Sequence, residues 1–272
     1  MNPIAYEPRR PVPWNGLDVA LLLIISLLLP FLVLRAAHAW FPVPAVDAAQ
    51  KAAAPIETGH PLGRVLAESR SVWPLLLGAA IAIVIAPIVE ELLFRLLLQG
   101  WLESLERRLR RRLHLPRRLL GAAPIAIVAT LFALIHYRIP EPRQELSTIL
   151  YSFNVWAIAS LLTIVVLVCW LKFLAKATPV DLGVDRQKLQ GDFRLGLVVM
   201  FLVLVPTFLA RAAVFSAFPS FSENPWADPL FLLPLAATLG FLYYRTHRIV
   251  PAVALHMAFN AVSTLMALMA GT

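Results

Sequence analysis

Trp73-Pro-Leu-Leu-Leu-Gly-Ala-Ala-Ile-Ala-Ile-Val-Ile-Ala-Pro87-Ile-Val-Glu90-Glu91-Leu-Leu-Phe94-Arg95-Leu-Leu-Leu-Gln-Gly-Trp-Leu102 is the stretch that decides the fold. About 20 consecutive apolar residues suffice to cross a bilayer core, and this run exceeds that length. Yet Glu90, Glu91 and Arg95 sit inside it. A charged side chain at bilayer depth costs about 2.5–3.5 kcal/mol on insertion scales. Three such groups so close together mark the place where function is to be sought.

The rest of the chain agrees with a membrane setting. It has 272 residues, of which 60% are hydrophobic and 15% charged, with a mean hydropathy of +0.75. Soluble domains run nearer to about 25% charged. Apolar stretches recur at about 17–40, 73–102, 119–138, 148–173, 194–216, 226–244 and 249–270. The expected fold is all-α, a polytopic transmembrane helical bundle of about seven spans. Residues 1–272 read as a single membrane-embedded domain. Its motif-bearing regions are about 73–138 and 226–270. The first apolar stretch lacks a small-residue cleavage pattern and is expected to remain as a span.

The net charge of +8 follows the membrane rather than a nucleic acid. With the N-terminus placed inside, sixteen of the 24 Lys and Arg residues fall on one side, among them Arg107, Arg108, Arg110, Arg111, Arg112, Arg117 and Arg118. Five fall on the other: Lys51, Arg64, Arg70, Arg138 and Arg143. This is the positive-inside pattern. It predicts an integral plasma (inner) membrane protein with a cytoplasmic N-terminus and an external C-terminus. The partners expected are the lipid bilayer and a peptide or membrane-protein substrate, with no nucleic acid. Arg107–Arg118 reads as an interfacial amphipathic turn on anionic lipid.

Cys169 is the one cysteine, so no intrachain disulfide and no cysteine-based metal knuckle can form. Its apolar surroundings suggest core filler. Residues 41–70, with Pro42, Pro44, Pro55 and Pro61, read as an external loop. Residues 174–193, with Asp181, Asp185 and Asp192, read as a solvated cytoplasmic one, and 217–229 as a short external turn. His38, His60, His114 and His247 fall in loops or at span ends and read as surface residues.

Three constellations remain. In Glu90-Glu91-x-x-x-Arg95, residues four apart stack on one helix face, so Glu91 is spaced to pair with Arg95. Glu90 points about 100° away and has no partner on its own helix. A buried, unpaired carboxyl either sits neutral or serves as a general base or acid. Phe132-x-x-x-His136 puts an aromatic and an imidazole on one face. His256-x-x-x-Asn260 does the same for two polar groups, which can also simply glue helices together.

These three motifs, in this order and each in an apolar helix, resemble the CAAX-prenyl-protease and bacteriocin-processing family of intramembrane proteases, also called CPBP or ABI. Tyr243-Tyr244-Arg245-Thr246 before the last span adds to the likeness. The two spans between His136 and His256 are more than the resemblance leads one to expect, and Pro179-Val-Asp-Leu-Gly-Val184 is similar to what precedes the glutamate motif in relatives. A rearranged helix order is one account of this.

The resemblance implies an intramembrane endopeptidase. Glu90 would take a proton from water. His256 and Asn260 would hold that water or stabilise the oxyanion. His136 would be a second polariser or proton donor, and Arg95 would fix Glu91. No cofactor is favoured. The rival is zinc held by Glu90, His136 and His256, although the chain has no His-Glu-x-x-His. The alternatives outside proteolysis are a non-catalytic membrane scaffold or immunity factor, and a proton-coupled transporter.

The depths of the three motifs conflict. His256 and Glu90 fall well inside their spans, whereas His136 falls near the external end of its own. They meet only if the third span is tilted, shifted inward or broken around a cavity within the protein.

Overall fold

The computed structural model describes residues 11–40, 56–57, 65, 68, 71–114, 120–137, 141–142 and 145–270. Among them are seven principal helices: α1 (Gly16–Trp40), α2 (Val72–Leu113), α3 (Ala122–Leu134), α4 (Leu146–Leu174), α5 (Leu189–Ala217), α6 (Ala227–Thr246) and α7 (Ile249–Ala270). A 3-10 turn, Pro219–Glu223, joins α5 to α6. Two short extended pieces, β1 (Ile56–Glu57) and β2 (Glu141–Pro142), pair antiparallel. The architecture is the expected polytopic helical bundle. Six helices are long and apolar enough to cross a membrane; α3, with 13 residues, is shorter.

The apolar residues face outward as well as inward. Leu27, Leu28, Phe31 and Leu32 on α1 and Phe201, Leu202 and Leu209 on α5 are exposed. In water these stripes would be aggregation surfaces; against lipid tails they are in their own solvent. Cys169 belongs to this outward set. It is exposed on α4, not core filler, because in a bilayer an apolar neighbourhood marks either lipid or core.

Within the bundle α5 packs on α7, α3 on α6, and α1 on α4. Gly196 on α5 lies where a Cβ would meet the Pro251 carbonyl at 2.5 Å, so only glycine lets α5 and α7 approach so closely. Met200, Leu235, Leu239, Leu255 and Phe259 fill the adjoining interior. Upstream of α1, Trp14 tucks under the bundle and donates its indole N–H to the Leu97 carbonyl at 3.1 Å. Asn15 Oδ1 accepts the Leu17 amide at 2.8 Å and starts α1.

Helix α2 positions the site. Its 42 residues span about 63 Å at 1.5 Å per residue, about twice a hydrocarbon core. The expected span at 73–102 therefore does not stop at the interface. Arg107, Arg108, Arg110, Arg111 and Arg112 ride on the same helix, not on a separate turn; Arg117 and Arg118 lie outside the described residues. Two wide turns, Ile81–Ile85 and Leu92–Gln99, bracket the glutamates with i→i+5 geometry. Such bulges concentrate at functional sites.

Other expectations need correction. Helix α3 starts at Gly121 (φ 85°), a left-handed residue overhung by the Tyr244 ring. It ends at Leu134, so the span expected over 119–138 is a helix of under four turns. Asp192 is buried in the first turn of α5 and pairs with Arg248 at 3.1 Å, so that end of the 174–193 loop is not solvated. His247 is also buried. It ends α6 in the left-handed conformation (φ 48°), which turns its ring back into the bundle. His38 and His114 are exposed, His38 stacking on Tyr151 at 5.5 Å. His60, the four prolines of the 41–70 loop, and Arg9, Arg10, Lys51, Arg64, Arg70, Arg138 and Arg143 lie outside the described residues.

Candidate functional site

The site begins with Pro87. Just before it, the Ala86 amide reaches back five residues to the Ile81 carbonyl. The next donor in that wide-turn series would be residue 87, and proline has no N–H. The Ala82 carbonyl is thereby left without its helical donor, and Asn260 of α7 donates Nδ2 to it at 2.8 Å. A local defect in α2 is thus closed by the last helix.

That tie brings the next turns of the two helices together. Glu91 Oε1 lies 2.9 Å from His256 Nδ1. Its other oxygen, Oε2, lies 3.4 Å from Arg95 Nε. The expected i,i+4 pair is therefore present, with His256 added from across the bundle. Arg95 also donates Nη2 to the Ala236 carbonyl of α6 at 3.4 Å. Glu91 and Arg95 are both 0% exposed and His256 is 3% exposed. Taking such charges out of solvent is tolerated only when they are paired.

Glu90 looks the other way, as its 100° offset requires. Its Oε2 faces two imidazole nitrogens, His256 Nε2 at 3.7 Å and His136 Nε2 at 4.0 Å. Neither distance is a hydrogen bond. The Glu90 and His136 side chains are 21% and 31% exposed, but Glu90 Oε2 itself is buried and has no hydrogen-bond partner. His136 reaches it because α3 is short. The residue lies in the turn beyond the helix end, its backbone N–H on Ala133 and its Nδ1 2.8 Å from the Phe132 carbonyl. The depth conflict in the sequence is resolved by a third span that stops early. Phe132 and His136 do not share a helix face, yet their rings are 4.9 Å apart.

Two of the ring tautomers follow from these partners. A carbonyl only accepts, so His136 Nδ1 carries the proton. A carboxylate also accepts, so His256 Nδ1 carries one as well. Both Nε2 atoms are then left to face Glu90. The structure thus gathers Glu90, Glu91, Arg95, His136 and His256 around one point, with Asn260 one helical turn beyond His256.

The zinc alternative takes Glu90, His136 and His256 as its ligands. Tetrahedral ligands about 2.0–2.2 Å from zinc lie about 3.3–3.6 Å from one another. Glu90 Oε2 is 3.7 and 4.0 Å from the imidazole nitrogens, and among the described residues no three His, Cys, Asp or Glu side chains are grouped to hold a metal ion.

A second polar cluster lies further down α2, and the sequence reading missed it. Gln99 donates Nε2 to Glu103 Oε1 at 3.0 Å and to the Gly240 carbonyl at 2.8 Å. Glu103 Oε2 lies 3.6 Å from His247 Nδ1 and 3.8 Å from Arg107 Nη1. Residues 91, 95, 99, 103 and 107 form one i,i+4 stripe. It meets Ala236 and Gly240 of α6, small residues that let the helices approach. The four-residue spacing was the available signal.

Comparison with known proteins places these features in a family. No curated protein and no solved structure matches the chain. A family description, Type II CAAX prenyl endopeptidase Rce1-like, matches residues 71–178 and 189–262. The match includes both spans between His136 and His256 and omits only 179–188 inside its range. With the two stretches together covering most of the chain, this multi-pass membrane protein belongs to the Rce1-like family of CAAX-type intramembrane endopeptidases.

Proposed function

We propose that the chain hydrolyses a peptide bond of a membrane-associated protein or peptide by metal-free glutamate chemistry, with Glu90 as the base. One observation carries the reading. Glu90 Oε2 is the atom that both imidazole Nε2 atoms face, and it is buried without a hydrogen-bond partner, while both oxygens of Glu91 are engaged by His256 and Arg95.

A water molecule between Glu90 and the imidazoles donates one hydrogen to the carboxylate and the other to a neutral Nε2. As its oxygen bonds to the peptide carbonyl carbon, its proton passes to Glu90. The carbonyl π pair moves onto oxygen. An imidazolium form of His256 or of His136 steadies that oxyanion with its Nε2–H, and such preorganised donors are often a large term. Asn260 keeps a second amide hydrogen beyond the one on Ala82 and assists there. Collapse of the intermediate breaks the C–N bond, and the proton on Glu90 passes to the departing amine nitrogen. Arg95 touches no reacting atom in this scheme; it holds Glu91, which holds His256.

The reading extends to placement. An inner (plasma) membrane protein with a cytoplasmic N-terminus and external C-terminus agrees with the basic-residue asymmetry, with α3 as a short seventh crossing. The chain acts as one membrane-embedded domain over 1–272. Reporter fusions at the two ends test this: reporters on the same side would mean an even number of crossings and demote α3 to a re-entrant segment. The chemistry is tested with purified protein in detergent and a quenched-fluorescent peptide library. Cleavage abolished by Glu90→Gln is expected; cleavage by that variant at the wild-type rate would remove Glu90 from the mechanism.

A further inference from the structure

Phe132 has no polar side-chain atom, yet it touches most of the site. Its ring is fully buried. The Arg95 guanidinium carbon lies 4.7 Å from its centroid. The His136 ring is 4.9 Å away and tilted by 40°; the His256 ring is 5.5 Å away at 66°. Phe94 closes the remaining side, edge-on at 5.5 Å. The ring therefore contacts a group from α2, one from the turn after α3 and one from α7.

The Arg95 contact has a specific physical content. Arg95 is a cation with 0% exposure, and neither its Nε nor its Nη1 makes a hydrogen bond. Glu91 draws it electrostatically from one side at 3.4 Å. The face of an aromatic ring carries partial negative charge and attracts a cation within about 6 Å, more so when desolvated. Phe132 supplies that attraction where hydrogen bonds do not. A guanidinium held between the ring and the carboxylate fixes Glu91, and Glu91 fixes His256 through the 2.9 Å contact. The same ring packs against His136, whose Nδ1 is tied to the Phe132 carbonyl. Both imidazoles that face Glu90 are thus referenced to one residue.

We propose that Phe132 is a positioning residue for the reaction: its ring, through its charge distribution as well as its bulk, sets the Arg95–Glu91–His256 chain and the His136 ring in register with Glu90. This rests on the glutamate reading above. It adds a residue whose chemistry no proton transfer would reveal.

The test separates charge from shape. Mono-, di- and trifluorophenylalanine are introduced at position 132 of the full-length chain. Each added fluorine drains negative charge from the ring face with little change of volume. The readout is kcat and KM for a quenched-fluorescent peptide cleaved by the wild type. The expected result is a stepwise fall in kcat, reaching about tenfold at three fluorines, with KM within about twofold and an unchanged monodisperse elution profile. Phe132→Leu, which removes the ring, is expected to lower kcat about 100-fold, the scale of a misplacement of about 1 Å. If Phe132→Leu fails to fold, the fluorinated series decides alone. A kcat indifferent to fluorination reduces the ring to packing and overturns the proposal, and so does a rise in KM at constant kcat. A wild type that cleaves no peptide sinks the glutamate reading; an active wild type indifferent to fluorination sinks this inference only.

Discussion

Helix α2 carries two clusters of the same chemical make-up, one above the other. Each combines a carboxylate, an imidazole and a guanidinium, and each leans on a backbone carbonyl of α6. The upper has Glu90, Glu91, Arg95, His136 and His256; the lower has Gln99, Glu103, Arg107 and His247. In the lower cluster the carboxylate is enclosed, with Gln99 on one oxygen and His247 and Arg107 near the other. In the upper cluster one carboxylate is enclosed in the same way, and a second has been added beside it. Glu90 faces imidazoles at distances too long for direct bonds, and its Oε2 is buried without a hydrogen-bond partner. Composition does not separate a structural cluster from a reactive one here. On the proposed reading, an extra carboxylate with an unpartnered oxygen does.

The comparison can be broken by experiment. Its largest expected effect is on Glu90. Glu90→Gln should lower single-turnover cleavage by about 10²–10⁴-fold, the contribution of a positioned base, while size-exclusion behaviour stays that of the wild type. A folded, fully active Glu90→Gln would erase the distinction between the two carboxylates.

Next comes Glu91. Glu91→Gln leaves Arg95 a buried cation without its counter-charge, which costs about 3–5 kcal/mol. Both folded yield and activity should fall. Replacing Glu91 and Arg95 together by apolar residues should recover part of the yield but not the cleavage, the signature of coupled partners in a double-mutant cycle. A Glu91→Gln protein that is well folded and dead would mean that Glu91, not Glu90, meets the water.

The lower cluster should respond to a similar change quite differently. Glu103→Gln should cost about 1–3 kcal/mol of stability, read as a lower midpoint of thermal unfolding, while kcat per folded molecule stays within about threefold. A selective loss of kcat would make the lower cluster part of the catalytic unit. The smallest effect is expected from chelation. Strong chelators should leave the rate unchanged; loss with recovery on added zinc would replace the glutamate reading with a metal one.

Much of this was legible in the chain, for identifiable reasons. Glu91 and Arg95 were readable as a pair because a helix fixes which residues are neighbours. The membrane class was readable because apolar runs of span length have few other uses. What escaped had the opposite character. The early end of α3, which delivers His136 to Glu90, leaves no mark in a hydropathy profile that stays high to the end. Cys169 and the apolar faces around it could not be assigned to core or lipid, since both suit the same residues. His247 and Asp192 looked like surface groups by position. Their partners, Glu103 and Arg248, become visible only once distant segments are side by side.

The tie between Asn260 and the Ala82 carbonyl has a consequence for how this chain can vary. Asn260 has that acceptor because residue 87 is a proline. Alanine at 87 would restore an N–H within α2, satisfy Ala82 locally and release the Asn260 amide. The same substitution at Asn260 would then have two different effects, depending on a residue on another helix. Positions 87 and 260 therefore form an epistatic pair. A mutational scan of either one, made in a single background, would misstate what the other contributes.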